Sequence, residues 1–173
     1  MLLKILGGIM IITASGLIGI LYSGRLSTRH RELNNLRRHM QMLETEIIYG
    51  ATPLPSAMTS IAHRTEGLAS SLFQLAAECL SDRSFYSFKD AWTFAADSVF
   101  RGTPLVWEDI ELIKSLGSIL GGSDREDQKK HFELFYMQLR LQEEKALEEL
   151  RRSGRMYRSL GFLLGIAVFV VLS

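Results

Sequence analysis

Charge is missing from both ends of this 173-residue chain and dense between them. No charged side chain occurs from residue 5 to residue 24, and none from residue 159 to residue 173. A helix needs roughly 20 apolar residues to cross a hydrocarbon core about 30 Å thick, and residues 5–24 meet that length. The competing reading is a cleaved signal peptide, because Lys4 precedes the apolar run. Three features count against cleavage: the run exceeds a typical signal h-region, its positive flank is one lysine, and no clean Ala-x-Ala site follows. Residues 1–24 are therefore expected to be an N-terminal transmembrane helix.

The second apolar run, residues 160–172, is short enough to pass for a buried core helix. Its position decides otherwise. It has no polar face, and Arg151, Arg152, Arg155 and Arg158 stand just before it. Arg155 and Arg158 can lay their stems along the apolar surface and extend the span. Residues 159–173 are thus expected to be a C-terminal transmembrane helix. Both spans carry small residues at packing spacing, Ser15 with Gly19 and Gly161 with Gly165. Such pairs let helices approach closely in a membrane.

The arginines give a direction. Arg25, Arg29, Arg31, Arg37 and Arg38 follow the first run, as the later four precede the second. Lysine and arginine next to spans stay on the cytoplasmic side, so residues 25–158 are expected to be a cytoplasmic domain. The overall net charge of +1 conceals this arrangement. It also leaves no basic face across the middle of the chain, where acids outnumber bases, so nucleic acid is not an expected partner. Cys79 is the only cysteine, which excludes an intrachain disulfide and suits a small buried side chain.

The middle segment reads as helical throughout, with no alternating β-branched stretch. A first helix over residues 25–49 places Leu26, Leu33, Leu36, Met40, Leu43 and Ile47 on one seam and stops at Gly50. Thr52 followed by Pro53 gives a capping residue and a first-turn proline for a second helix, with Leu54, Ala57, Met58, Ile61 and Ala62 on one side. Gly67 separates it from a third, carrying Leu72, Phe73, Ala76 and Leu80. A fourth turns Ala91, Trp92, Ala95 and Val99 inward and ends near Gly102. A fifth does so with Trp107, Ile110, Ile113 and Leu116, ending at Gly121 and Gly122. Ser123 and Glu126 form a capping box for the sixth. Its seam runs Gln128, Phe132, Phe135, Leu139, Gln142, Ala146 and Leu150, with no proline before the second span. The expected fold is all-α: a six-helix antiparallel bundle flanked by N-terminal and C-terminal transmembrane helices, the first and last helices being antiparallel neighbours.

No chemistry stands out. His30, His39, His63 and His131 lack metal-ligand spacing and are expected at the surface. There is no phosphate loop, zinc motif or nucleophile elbow. Asp124, Glu126 and Asp127 favour a helix start through its dipole rather than a cation. Glu44 and Glu46 point to different sides of a helix and make a poor acid/base pair. No catalytic, metal or cofactor residue is expected, and no small-molecule substrate. The run Glu143, Glu144, Lys145, Glu148 and Glu149 reads as a solvated helix face, and also as a docking surface for a basic partner.

Two stretches carry a resemblance. Glu44, Thr45, Glu46, Ile47, Ile48, Tyr49, Gly50, Ala51, Thr52, Pro53, Leu54 and Pro55 form one. Leu116, Gly117, Leu120, Gly121, Ser123, Asp124, Arg125, Glu126, Asp127 and Gln128 form the other. Together they resemble the stage III sporulation protein AB family, and the likeness extends over essentially the whole chain. Gly122 departs from the second motif, where an apolar residue is more usual. The resemblance implies a part of the channel complex between mother cell and forespore. That family is similar to the inner-membrane platform protein, F-type, of type II secretion and type IV pilus systems. The implied partners are the membrane, other subunits of the channel complex and its cytoplasmic ATPase, with homo- or hetero-oligomerisation. The implied location is the mother-cell membrane around the forespore. The motif residues Glu44, Glu46, Tyr49, Gly50, Thr52, Pro53 and Pro55, with Ser123, Asp124, Arg125, Glu126, Asp127 and Gln128, become candidate interaction residues. Two other readings stand beside it: a membrane-anchored scaffold or regulator acting by oligomerisation, and a membrane enzyme. The enzyme would need ionisable residues within its spans.

Overall fold

The computed structural model describes the backbone of residues 2–82, 85, 87–120 and 125–172, and the side chains of residues 21–82, 85, 87–120, 126–153 and 156. Among these there are six helices and no strand. They are α1 (Leu2–Glu44), α2 (Leu54–Arg64), α3 (Leu68–Ser81), α4 (Phe88–Phe100), α5 (Trp107–Ser115) and α6 (Arg125–Leu172). Both terminal helices run unbroken out of the apolar ends, as the absence of proline from both implies. Among the described residues no helix is long and apolar enough to cross a membrane. The side chains of both apolar runs, Ser15, Gly19, Gly161 and Gly165 included, lie almost entirely outside those described.

The chain divides into two compact units, Met1–His30 with Glu144–Ser173, and Arg31–Glu143. In the second, Glu44 of α1 accepts a hydrogen bond from the Tyr136 hydroxyl of α6 at 2.9 Å. Arg37 pairs with Glu143 at 3.2 Å. The paired numbers rise on one helix as they fall on the other, so α1 and α6 are antiparallel neighbours. In the first unit the Arg29 guanidinium meets Glu149 at 2.8 Å.

The core of the second unit follows the three-four spacing of each helix. Leu33, Leu36, Met40 and Leu43 of α1, Ala57, Met58 and Ile61 of α2, Leu72, Phe73 and Ala76 of α3, and Phe132, Phe135 and Leu139 of α6 are all buried. Trp92 of α4 is fully buried. Its indole N–H donates to the Ile113 carbonyl at 2.7 Å, and its ring packs on Phe73 and Phe88. Gly117 lies against it: a Cβ there would stand 2.9 Å from Trp92 Cδ1. Gly67, just before α3, and Gly102, just after α4, take positive φ of 98° and 77°, which explains glycine at both breaks.

Several expectations are corrected. Trp107 is 70% exposed. Helix α5 begins at Trp107, and its buried third residue, Asp109, accepts from the Val106 N–H at 3.1 Å. That contact sets the rotation of the helix, and a residue two positions away points about 200° from it. Val99 is only half-buried, and Ala96 and Phe100 take the inward positions. Helix α5 ends at Ser115 and passes into a 3₁₀ turn, Leu116–Ser118. His39 is buried rather than exposed, because it lies three residues after Leu36 and four before Leu43 on the α1 seam. It stacks on Phe73, and its Nδ1 lies 2.7 Å from the Asn35 carbonyl. Arg29 is buried on the same seam. Glu143 is buried too, so the acidic run on α6 is not a uniformly solvated face.

Candidate functional site

Where α1 meets α2, the backbone does something that periodicity does not foretell. Helix α1 leaves the α conformation at Glu44, and Thr45–Tyr49 form one π turn. The Gly50 N–H closes it on the Thr45 carbonyl at 3.0 Å, and the Thr52 N–H reaches the Glu46 carbonyl at 3.0 Å. Between them Ala51 takes φ 51°, a left-handed value unusual for a residue with a side chain. Gly50 has an ordinary φ of −78°. Its requirement is space: a Cβ would lie 2.7 Å from the Glu46 carbonyl oxygen and 3.1 Å from Thr52 Oγ1.

The Glu46 carboxylate clamps this corner. One oxygen accepts from the Thr52 hydroxyl at 3.0 Å, the other from Arg64 Nη2 at 2.7 Å. Arg64, in the last turn of α2, is itself held by the Ser60 carbonyl at 3.2 Å and by the Ser60 hydroxyl. Thr52 therefore does not cap α2, as its place before Pro53 suggests. The Pro53 carbonyl accepts the first helical bond, from the Ala57 N–H at 3.0 Å. Pro55 sits in the first turn, where a missing N–H loses nothing.

The Arg64 hydrogen bond, then that of Thr52, hold the Glu46 carboxyl below its usual range. With the folded pKa below the unfolded one, the clamp contributes fully above the ordinary glutamate range. That contribution is lost as pH falls through the lowered value. An NMR titration of the carboxyl carbons should therefore give Glu46 a midpoint under 4.5. Arg64→Ala should move it upward, and a wild-type midpoint above 4.5 contradicts the clamp. Glu44, two residues earlier, faces the other way onto Tyr136. Burial first, and the Glu44 charge second, push that phenol well above its usual pKa.

Of the second motif, Ser123 and Asp124 and the side chain of Arg125 lie outside the described residues. Glu126 and Asp127 are exposed in the first turn of α6. Gln128 is buried, its amide 3.5 Å from the Leu120 carbonyl. Because α1 and α6 are antiparallel, the end of α1 and the start of α6 fall at the same end of this unit. The first motif and the described start of α6 thus share one end. Among the described residues no group of His, Cys, Asp and Glu could hold a metal ion.

Arg64 was not legible as a site residue, since it lies 18 positions from Glu46 with no local pattern joining them. At the rim of the corner Tyr49 is 73% exposed, and Ala51, Pro53 and Pro55 are exposed beside it.

Fold and site together define an all-α protein on two long terminal helices, whose most elaborated surface feature is a braced helix corner. The stage III sporulation protein AB family profile matches residues 4–173. Stage III sporulation protein AB of Bacillus subtilis (strain 168) is 33% identical over 171 residues, covering 99% of each chain. A solved structure of stage III sporulation protein AB superposes with a TM-score of 0.66 at 34% identity, over 72% of this chain and 97% of that one. The chain belongs to the stage III sporulation protein AB family, and its role lies in sporulation.

Proposed function

We propose that this chain is a non-catalytic membrane platform of the channel complex between mother cell and forespore. Residues 1–24 and 159–173 cross the mother-cell membrane around the forespore, and residues 25–158 lie in the cytoplasm. There the helical domain couples a cytoplasmic ATPase to the membrane assembly and joins its other subunits. The carrying observation is the family match over residues 4–173, which takes in both uncharged ends and the helical domain together. The arginines beside both ends favour the cytoplasmic orientation. The braced corner supports an interaction role, since it spends its polar groups on holding shape.

Two measurements test this. The chain should stay in the membrane fraction after alkaline carbonate extraction, and a tag at Ser173 should be shielded from protease added to the cytoplasmic side. Deleting the chain should release the ATPase from the membrane. Release of the chain by carbonate, a cytoplasmic tag, or an ATPase that stays bound without it would each sink the proposal.

A further inference from the structure

In the first compact unit the contact of Arg29 with Glu149, at 2.8 Å, fixes the level of α1 against α6. Tyr22 lies seven residues before Arg29, and Met156 seven residues after Glu149. At 1.5 Å of rise per residue in antiparallel helices, each is about 10 Å from the ion pair, toward its own uncharged run. Tyr22 and Met156 therefore stand at one level of the helix pair. Both are open to solvent, Tyr22 by 52% and Met156 by 47%, and Leu21 beside Tyr22 by 70%. They are not part of the seam between the helices, where Leu26 and Ser153 are buried. About one turn back toward the ion pair, the exposed side chains turn cationic on both helices: Arg25 on α1, Arg151 and Arg152 on α6.

A single exposed leucine or methionine means nothing. Exposed apolar groups on two helices at one level, each followed by arginine within about a turn, are the pattern of a membrane interface. Tyrosine sits there at headgroup depth, and arginine stays on the cytoplasmic side. We infer that the bilayer surface crosses both helices at this level, covering Leu21, Tyr22 and Met156 with lipid. This rests on the membrane reading above and gives it a depth. The level on α1 falls inside the uncharged run, but on α6 it falls three residues ahead of it. Helix α6 continues to Leu172, so 17 of its residues, 156–172, lie beyond the level, within the ~17–25 that span a bilayer. Arg158 is then on the bilayer side by position, from which an arginine reaches back to water along its own stem.

The experiment labels single-cysteine variants of the full-length chain in membrane vesicles whose cytoplasmic face is outward, using a charged maleimide that does not cross lipid. The unsubstituted chain, whose Cys79 is buried, is the blank. All four substituted positions are exposed, so none opens the fold. Arg25→Cys and Arg152→Cys should label at least ~10-fold faster than Tyr22→Cys and Met156→Cys, because the reactive thiolate forms in water and is disfavoured in apolar surroundings. A photo-crosslinker attached at position 156 should capture lipid. If only one of Tyr22→Cys and Met156→Cys is protected, the shared level is wrong and the membrane reading stands. Protection of all four places the boundary nearer the helical domain and overturns the level in the same way. If all four label at one fast rate, the level and the membrane reading fall together. Capture of a protein in place of lipid at position 156 also overturns the assignment.

Discussion

Trp92→Ala is expected to destabilise the second unit by about 4–6 kcal/mol, from truncation of a buried aromatic and loss of its hydrogen bond. The indole fills the space between α3, α4 and the turn after α5, and Gly117 is a glycine to admit it. No small side chain can refill that volume, because the facing position already lacks a Cβ. The hydrogen bond adds only about 1 kcal/mol, since the Ile113 carbonyl still accepts from the Leu116 N–H. Trp92→Phe separates the two terms: it keeps most of the ring, loses the N–H, and should cost about 2 kcal/mol. Domain stabilities of about 5–15 kcal/mol leave little margin for the alanine variant. Denaturation followed by near-ultraviolet circular dichroism is the check. Equal midpoints for the two variants would show that the cavity is not the main effect.

Trp92 also shows what was legible from the chain alone. Three-four spacing places it inward together with Ala91 and Ala95, and all three are buried. The same periodicity finds six helices, and the continuity of the first and last with the two apolar ends gives their antiparallel pairing. Periodicity fails where a polar contact sets the rotation of a helix. In α5 the apolar stripe alone puts Trp107 inside, whereas the buried carboxylate of Asp109 turns that ring to solvent. On α1 and α6 the spacing holds and it is the reading by residue type that fails. Arg29 and Glu143 look like surface charges by type, and are buried because each falls on its helix seam with an opposite charge within reach. Histidine at position 39 is the same error: type suggests solvent, and spacing from Leu36 and Leu43 decides.

The candidate site divides along a similar line. Except for Arg64, its residues were legible as a motif, and its geometry was not. A π turn differs from an α turn by one hydrogen-bond register, and nothing in Thr45, Glu46, Ile47, Ile48 and Tyr49 announces that shift. Glycine at position 50 reads as an ordinary helix stop. Its actual constraint comes from the Glu46 carbonyl, which periodicity cannot place.

That constraint yields the second large expected effect, a pair of substitutions with opposite signs. Gly50→Ala should destabilise the corner by about 2 kcal/mol, as overpacking against a fixed backbone does. The added methyl meets a carbonyl oxygen at 2.7 Å, and that oxygen is already accepting from Thr52. Either the π turn opens or the Thr52 bond breaks, and both release Tyr49. Ala51→Gly should instead stabilise by about 0.5–1 kcal/mol, because glycine adopts a left-handed φ without the Cβ penalty. The left-handed position and the glycine are thus one residue apart. A reading that assigns the glycine to backbone freedom predicts the reverse order for the two variants. Hydrogen exchange at the Gly50 and Thr52 amides gives the answer at the residues concerned: faster in Gly50→Ala, slower or unchanged in Ala51→Gly. If both variants exchange alike, space at position 50 is not what holds the corner. Tyr49 would then owe its placement to the Glu46–Arg64 clamp alone.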